Sequence, residues 1–575
     1  MGNGLLLSAE SRKYGRAGDT PVDGDEDRDE AVVTDVYATD VLIVGAGPIG
    51  LTAAVELRRR GVACRVVDKL TEPPQYAKAV GVQPRTLELW EAAGVLPAVL
   101  DAALPIRGQI VYRNGEQVAV MDLALPPDMT YGFAALPQYE TERLLREALA
   151  RHGCAPERGV ELVSFTQDDD GVTALLVGPA GDETVRARYL VGGDGAHSIV
   201  RKTLGLSFEG GAFPEEYMLG DVEVDWSLPA GYGVRATRED DGRIADLLVC
   251  IPLPGRGRYR MSMLVPPELS SAAPAAGEIA HGFEAGRAPE LHHIQAVIDR
   301  LSPEPATARS LRWSSVFRIS HRIAGVYSSG RAFIAGDAAH IHPPTGAQGM
   351  NTGIQDAVNL AWKLAAAVDG TAAPGLLDSY DAERRPIGEE VVGRTVKAAS
   401  TGVQFDAADP FHAIRREAQL LVGYRGSPIA GPVDEALPPG VPQAGDRAPD
   451  ARGLVRDIVQ FPVRLFELFR TPGHSLLLYA DSDATAATLA DVADAARAAL
   501  GDDLVVHAIL ADGVVGKGLA VPVLRDAAGE FRAAYAAVDG TLVAVRPDGY
   551  VGHRGSVADV PGVAGYAKKV VATAG

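Results

Sequence analysis

Cysteine is scarce in this chain: Cys64, Cys154 and Cys250 are the only three in 575 residues. They lie far apart in sequence and form neither a CxxC pair nor a metal-ligand cluster, which excludes a disulfide framework and points to a reducing, cytoplasmic compartment. Basic charge is in deficit as well, with 55 Lys and Arg against 75 Asp and Glu, a formal net charge of −20. Such a field repels polyanions, so neither nucleic acid nor an anionic membrane surface is an expected partner. No apolar run approaches the roughly 20 residues that span a bilayer. The Leu5-Leu6-Leu7 run is too short for the core of a signal peptide. What remains is 47% apolar and 23% charged, the composition of a soluble globular protein. At roughly 100 to 200 residues per domain, the length predicts about three domains.

Composition changes mark the organisation. Residues 1–38 are polar, carry an acidic run from Asp23 to Glu30 and read as a disordered acidic tail. A buried strand, Val41 to Val44, opens an α/β region. It is followed by Gly45-Ala46-Gly47-Pro48-Ile49-Gly50, a helix ending at Arg58-Arg59-Arg60-Gly61, and a second strand, Cys64 to Val67, stopping at Asp68. Short alternating stretches at Tyr217–Val224, Ile244–Ile251 and Tyr259–Leu264 predict a mostly antiparallel sheet inserted over 206–325. The α/β signature returns at Ala332–Ala335, so the first domain is discontinuous, 39–205 with 326–400. A helical segment and linker over 401–449, Pro- and Gly-rich from Gly426, leads to a separate βαβ-plus-hairpin unit over 450–575.

Gly45, Gly47 and Gly50 sit between a strand and a helix, where a tight turn lets backbone approach a pyrophosphate and the first helical N–H groups face it. Asp68, at the end of the second strand, is placed to accept ribose hydroxyls. This pattern indicates a dinucleotide and leaves NAD and FAD both open. Two later segments bear on the choice. Gly192-Gly193-Asp194-Gly195-Ala196-His197-Ser198 with Arg201 resembles the DG motif, and Gly330-Arg331-Ala332-Phe333-Ile334-Ala335-Gly336-Asp337-Ala338 resembles the GD motif, of single-component FAD-dependent aromatic hydroxylases.

That resemblance spans about residues 40–400 and implies the para-hydroxybenzoate hydroxylase fold. It is closer to the branch acting on phenols and polycyclic aromatic polyketides, the type of phenol hydroxylase and aklavinone 11-hydroxylase. The fold class it implies is α/β: a Rossmann-like FAD-binding domain, an inserted mostly antiparallel substrate-binding sheet, and a C-terminal thioredoxin-like α/β domain. The cofactors implied are FAD, NADPH or NADH, and O2. The activity implied is hydroxylation of an aromatic small molecule, a polycyclic polyketide or phenol, through a flavin C4a-hydroperoxide. Baeyer–Villiger insertion or epoxidation by the same peroxyflavin stays open, as do an FAD reductase without oxygen insertion and a non-catalytic flavin-binding protein.

Carried onto this chain, the cofactor-binding candidates are Gly45, Ala46, Gly47, Pro48, Ile49, Gly50, Asp68 and Lys69 in the first turn and strand. Lys78, Ala79, Arg85 and Gln138 are expected near the diphosphate and ribose, and Asp194 and Gly195 in the DG segment. Gly336 and Asp337 follow a buried strand. Beyond them Pro344, Gly346, Gly349, Met350 and Asn351 form a loop feeding a helix whose positive end would face the flavin N1–C2=O edge. Tyr217, Arg256, Tyr259, His321 and Pro343 are pocket candidates. His340 and His342 lack the companions of a metal site, and no metal is expected. The last domain reads Asp481-Ser482-Asp483-Ala484 where a redox dithiol would stand, so its expected role is structural, in a homodimer contact or over the substrate entrance.

Overall fold

The computed structural model describes residues 38–75, 78–270, 288–401, 409–459 and 461–572. The expected acidic tail therefore lies outside the described residues, except for Ala38. Strands Thr39–Val44, Cys64–Asp68, Gly181–Gly192 and Ala332–Ile334 form the parallel centre of an eight-stranded sheet. Their register aligns Val44 with Val67 on one side and Gly192 on the other, and Gly192 with Ile334. The carboxyl ends of strands that precede all three fingerprints thus reach one edge. Val41, Leu42 and Ile43 are fully buried there, as expected of a parallel strand covered on both faces. Helix Pro48–Arg58 begins with Pro at its first turn, and beyond its end Gly61 takes the left-handed conformation (φ +81°).

A second eight-stranded sheet contains Phe208–Val224, Tyr232–Asp240, Arg243–Pro252, Arg258–Leu264 and Ala308–Ala324. The hairpin Gly108–Arg113 and Glu116–Asp122, expected within the cofactor-binding stretch, also belongs to this sheet, because Gly108–Arg113 pairs in parallel with Tyr232–Thr237. One face is packed by helix Leu291–Leu301, with Met218, Val222, Val234, Leu248, Met261, Val316, Ile294 and Ile298 in the core.

The third sheet has six strands: Ser475–Ala480, Val505–Ala511 and Val523–Asp526 run parallel, Thr541–Val545 and Val551–Ser556 add an antiparallel edge, and Leu454–Val455 pairs antiparallel at the other. Residues 426–449 do not behave as the expected loose linker. Their backbone donates from Gly431 to Gly552, from Gly445 to Val551 and from Ala448 to Gly549, covering the edge of this sheet. Buried charges join the sheet to the cofactor-binding body: Arg546 pairs with Glu383 and Asp548 (both 2.6 Å), and Asp548 accepts from Asn359 and Trp362.

Candidate active site

The three fingerprints meet in space. Gly193 donates its N–H to Val44 O (2.8 Å) and Ala335 donates to Gly192 O (3.0 Å). A β-carbon on Gly45 would lie 2.7 Å from the Gly193 carbonyl carbon. Ile49 fills the space beside Gly336 and Gly353, where β-carbons would each approach its Cγ1 to 2.7 Å. Arg201, buried, donates to Ala196 O and Ala338 O (2.8 Å each) and so joins the DG and GD turns directly.

Gly47 differs from Gly45 and Gly50: it has an ordinary extended conformation (φ −80°), and a β-carbon there would meet no protein atom within 4 Å. Nothing in the fold requires glycine at that point, which is what a close-approaching diphosphate does require. Asp194 uses Oδ2 to accept from Ile199 N (2.8 Å) and Val200 N (3.2 Å), while its Oδ1 is enclosed without a hydrogen-bond partner among the described residues. Burial raises its pKa. An open place beside Gly47 and an unused buried acceptor on Asp194 fit a hydroxyl-rich dinucleotide such as FAD. Arg201 does not pair with Asp194 directly, since its guanidinium donates to carbonyls.

Asp68 accepts from Ala46 N (2.7 Å) and Leu70 N (2.8 Å) and pairs with Arg158 (3.3 Å), which no sequence signal had marked. Lys69 and Lys78 are exposed, and Gln138 Oε1 accepts from both Lys78 N and Ala79 N (3.2 Å). Its amide donates to Glu142 (2.9 Å), a buried carboxyl that burial pushes up to about 7 against the pull of Gln138, Arg146 and Arg158. Arg85 is not directed toward this edge. It is buried, pairs with Glu88 (2.9 Å), donates to Asp548 O (2.8 Å) and lies over the Tyr550 ring, so its guanidinium joins the two bodies.

Helix Gly349–Val368 begins at this junction, and Gly349, Met350 and Asn351 form its first turn. The Asn351 side chain is fully occupied by protein: Oδ1 accepts from Gln83 N and Thr86 Oγ1, and Nδ2 donates to Gly81 O and Ala347 O. It clamps the loop, leaving only its backbone N–H for a ligand. Gly346 adopts φ +74°; Pro343 is buried and Pro344 exposed. Asp337 sits in the short turn Gly336–Ala338. Behind it Asp356, fully buried, accepts from Gly336 N (3.1 Å), His340 Nε2 (2.8 Å) and Arg384 Nε (2.7 Å). Burial opposes its charge, but Arg384 and His340 hold the carboxyl down to about 2. Among the described residues no cluster of His, Cys, Asp and Glu has the makings of a metal site.

The free face of the second sheet turns toward this junction. Ile251 on that face packs with Val80, Ala135 and Leu104, and strand His340–Ile341 pairs with Arg322–Ile323. Alternation places Tyr217, Leu219, Arg235, Val249, Ser262, Leu264, Phe317 and His321 on the same face. These side chains are only half-buried, unlike the zero-exposure residues behind them. Arg235 has no hydrogen-bond or ion-pair partner among the described residues and lies near enough to Tyr217 to bias its ionisation. His321 packs edge-on to Phe213, and burial and Arg322 keep its ring neutral. Two other candidates are elsewhere: Tyr259 is on the helix-packed face against Trp226, and Arg256 lines a charged cleft with Glu223, Asp225 and Arg309.

A family profile described as an FAD binding domain matches residues 38–395. The chain is 35% identical over 462 residues to a flavin-dependent monooxygenase of Mycobacteroides abscessus, covering 79% of this chain and 90% of that one. The chain belongs to this family of FAD-dependent monooxygenases. It is also 33% identical to the 12-dehydrotetracycline 5-monooxygenase/anhydrotetracycline 6-monooxygenase of Streptomyces rimosus, over 89% of this chain and 94% of the relative. The structure of aklavinone-11 hydroxylase with FAD and aklavinone superposes with a TM-score of 0.73 at 28% identity, over 93% of this chain and 99% of that one. FAD is therefore the cofactor, and the α/β fold with its Rossmann-like FAD-binding part is that of the aromatic hydroxylases. Among the described residues no helix is long and apolar enough to cross a membrane.

Proposed function

We propose that this monooxygenase hydroxylates a ring of a polycyclic aromatic polyketide or a related phenol, with NADPH as the electron donor. The observation that carries the reading is the half-buried Tyr217–Leu219–Phe317 face, on a sheet whose Arg322–Ile323 pairs with the strand His340–Ile341 just ahead of the Gly349 helix. The tetracycline and aklavinone enzymes among its relatives support a fused-ring substrate. When bound, FAD takes hydride from NADPH and activates O2 for insertion of one oxygen atom.

The chain's own contributions are binding, orientation and charge. Gly45 to Gly50, Asp68, Asp194, Gly195 and Asp337 would hold the nucleotide, with Gln138 fixing the Lys78–Ala79 backbone beside it. The N–H groups of Gly349 to Asn351 would stabilise negative charge on a ring system at the helix end. Tyr217, Leu219 and Phe317 would lie against the apolar rings, and Arg235 would hold an acidic oxygen of the substrate, a phenolate or enolate, by a charge-assisted hydrogen bond. His321, whose Nδ1 is enclosed without a hydrogen-bond partner among the described residues, would accept a phenolic proton there. A cytoplasmic location, where NADPH is supplied, and a homodimer belong to the same reading.

The test is to screen phenols and fused-ring polyketides for faster NADPH oxidation by the purified yellow protein under oxygen-18 gas. One labelled atom in a ring hydroxyl is expected. Label entering as an ester or epoxide oxygen would replace hydroxylation with Baeyer–Villiger or epoxidation chemistry; NADPH consumption with unlabelled product would leave a reductase.

A further inference from the structure

The cysteines that look isolated in sequence are not all isolated in the fold. Cys64 opens the strand Cys64–Asp68, and Cys154 lies just beyond helix Gln138–Arg151. Ninety residues apart in sequence, they come together so that the Cys154 thiol donates to the Cys64 carbonyl at 3.6 Å. The two thiols are near enough for each to bias the ionisation of the other. Cys64 is buried and Cys154 is partly exposed, while Cys250 is fully buried in the helix-packed core of the second sheet. Arg58 stands beside the pair, donating to His152 O (3.1 Å).

We propose that Cys64 and Cys154 are a peroxide-responsive thiol pair that closes to a disulfide and reopens on reduction. Their chemistry is asymmetric. The neighbouring Cys64 thiol, helped by Arg58 and opposed by burial, brings Cys154 down to about 7, which marks it as the readier of the two to ionise and attack. Cys64 is pushed up by the neighbouring Cys154 thiol and by burial, and waits as the thiol. With hydrogen peroxide as the oxidant, the Cys154 sulfur attacks one peroxide oxygen; the S–O bond forms, the O–O bond breaks and the other oxygen leaves as water after taking a proton. Cys64 then gives up its proton as its sulfur attacks Cys154. The S–S bond forms, and the hydroxyl leaves as a second water. Overall two thiols and one peroxide give one disulfide and two waters.

Both cysteines lie on segments that lead to the cofactor edge: one strand runs from Cys64 to Asp68, and Cys154 precedes Arg158, the partner of Asp68. The bond would link the two segments at the end remote from that pair.

Thiol titration of the denatured full-length protein, before and after peroxide treatment of the native form, tests the proposal. The count is expected to fall from three to one, with a Cys64–Cys154 linked peptide by mass spectrometry and full recovery with dithiothreitol. Cys250→Ser, which leaves the pair intact, should fall from two to zero, and Cys154→Ser should give no linked peptide. Three thiols surviving in the wild type, or Cys154 oxidised to sulfinate with no linked peptide, would overturn it.

Discussion

Gly50 packs against the carbonyl oxygen of Gly45 so closely that a β-carbon on Gly50 would overlap it, whereas Gly47, between them, faces open space. The two glycines are therefore required for different reasons, one by the fold and one by what approaches it. Gly50→Ala is expected to lose about 1–3 kcal/mol through overpacking. Gly47→Ala should stay within about 0.5 kcal/mol of wild type yet release FAD more readily. Thermal unfolding of the apoprotein together with flavin titration by fluorescence separates the two; equal stability losses would remove the distinction.

Glu142 predicts a pH dependence. Its ordinary value of 4.5 applies to the unfolded chain and about 7 to the folded one, so the native state binds the proton more tightly. Its contribution to stability is fully present below pH 4.5 and is lost as pH rises through 7. Glu142→Gln should flatten that decline and stabilise the protein above pH 7 by on the order of 1–3 kcal/mol, seen in urea midpoints measured from pH 5 to 8.

Arg235, on the half-buried face of the second sheet, has no hydrogen-bond or ion-pair partner among the described residues. Replacing it by Leu is expected to lower kcat/KM by about 10- to 100-fold for substrates with an acidic hydroxyl, the range of a charged hydrogen bond. The flavin absorption spectrum should not change. Arg235→Lys should recover part of the loss, and an O-methylated substrate should be insensitive to either change.

Asp356 and Arg384 form an ion pair at zero side-chain exposure, directly behind the Gly336 turn. Asp356→Asn leaves the guanidinium uncompensated and should cost about 3–5 kcal/mol, measured by denaturant unfolding. FAD retention should fall with it, because the amide can accept on only one side, so either Gly336 N or Arg384 loses its acceptor.

The parallel strands and their glycine turns were legible in sequence because both rest on local signals: continuous apolar runs, a Pro-started helix and a glycine stop. The second sheet was legible only in its middle strands. Gly108–Asp122 joins it across more than a hundred residues, and a pairing of that range leaves no local trace. Asp68 was readable as the acid ending a strand, but Arg158 became its partner through a two-residue parallel pairing. Tyr259 and Tyr217 look alike in sequence; the register of one strand pair puts them on opposite faces. Arg85 sits in a basic segment of the expected type, yet the Asp548–Tyr550 turn, over 460 residues away, captures it. The packing of 426–449 was likewise hidden, since its glycines and prolines serve a strap hydrogen-bonded to a sheet edge as well as they would serve a tether.

The third sheet supplies Arg546, a cation shared by Glu383 and Asp548 beneath the long helix. Remove that sheet and Glu383 keeps Lys363 but loses its arginine, while Trp362 loses its acceptor and Asn359 one of its two. What reads as an appendage thus supplies the counter-charge under the long helix that carries the Gly349 turn.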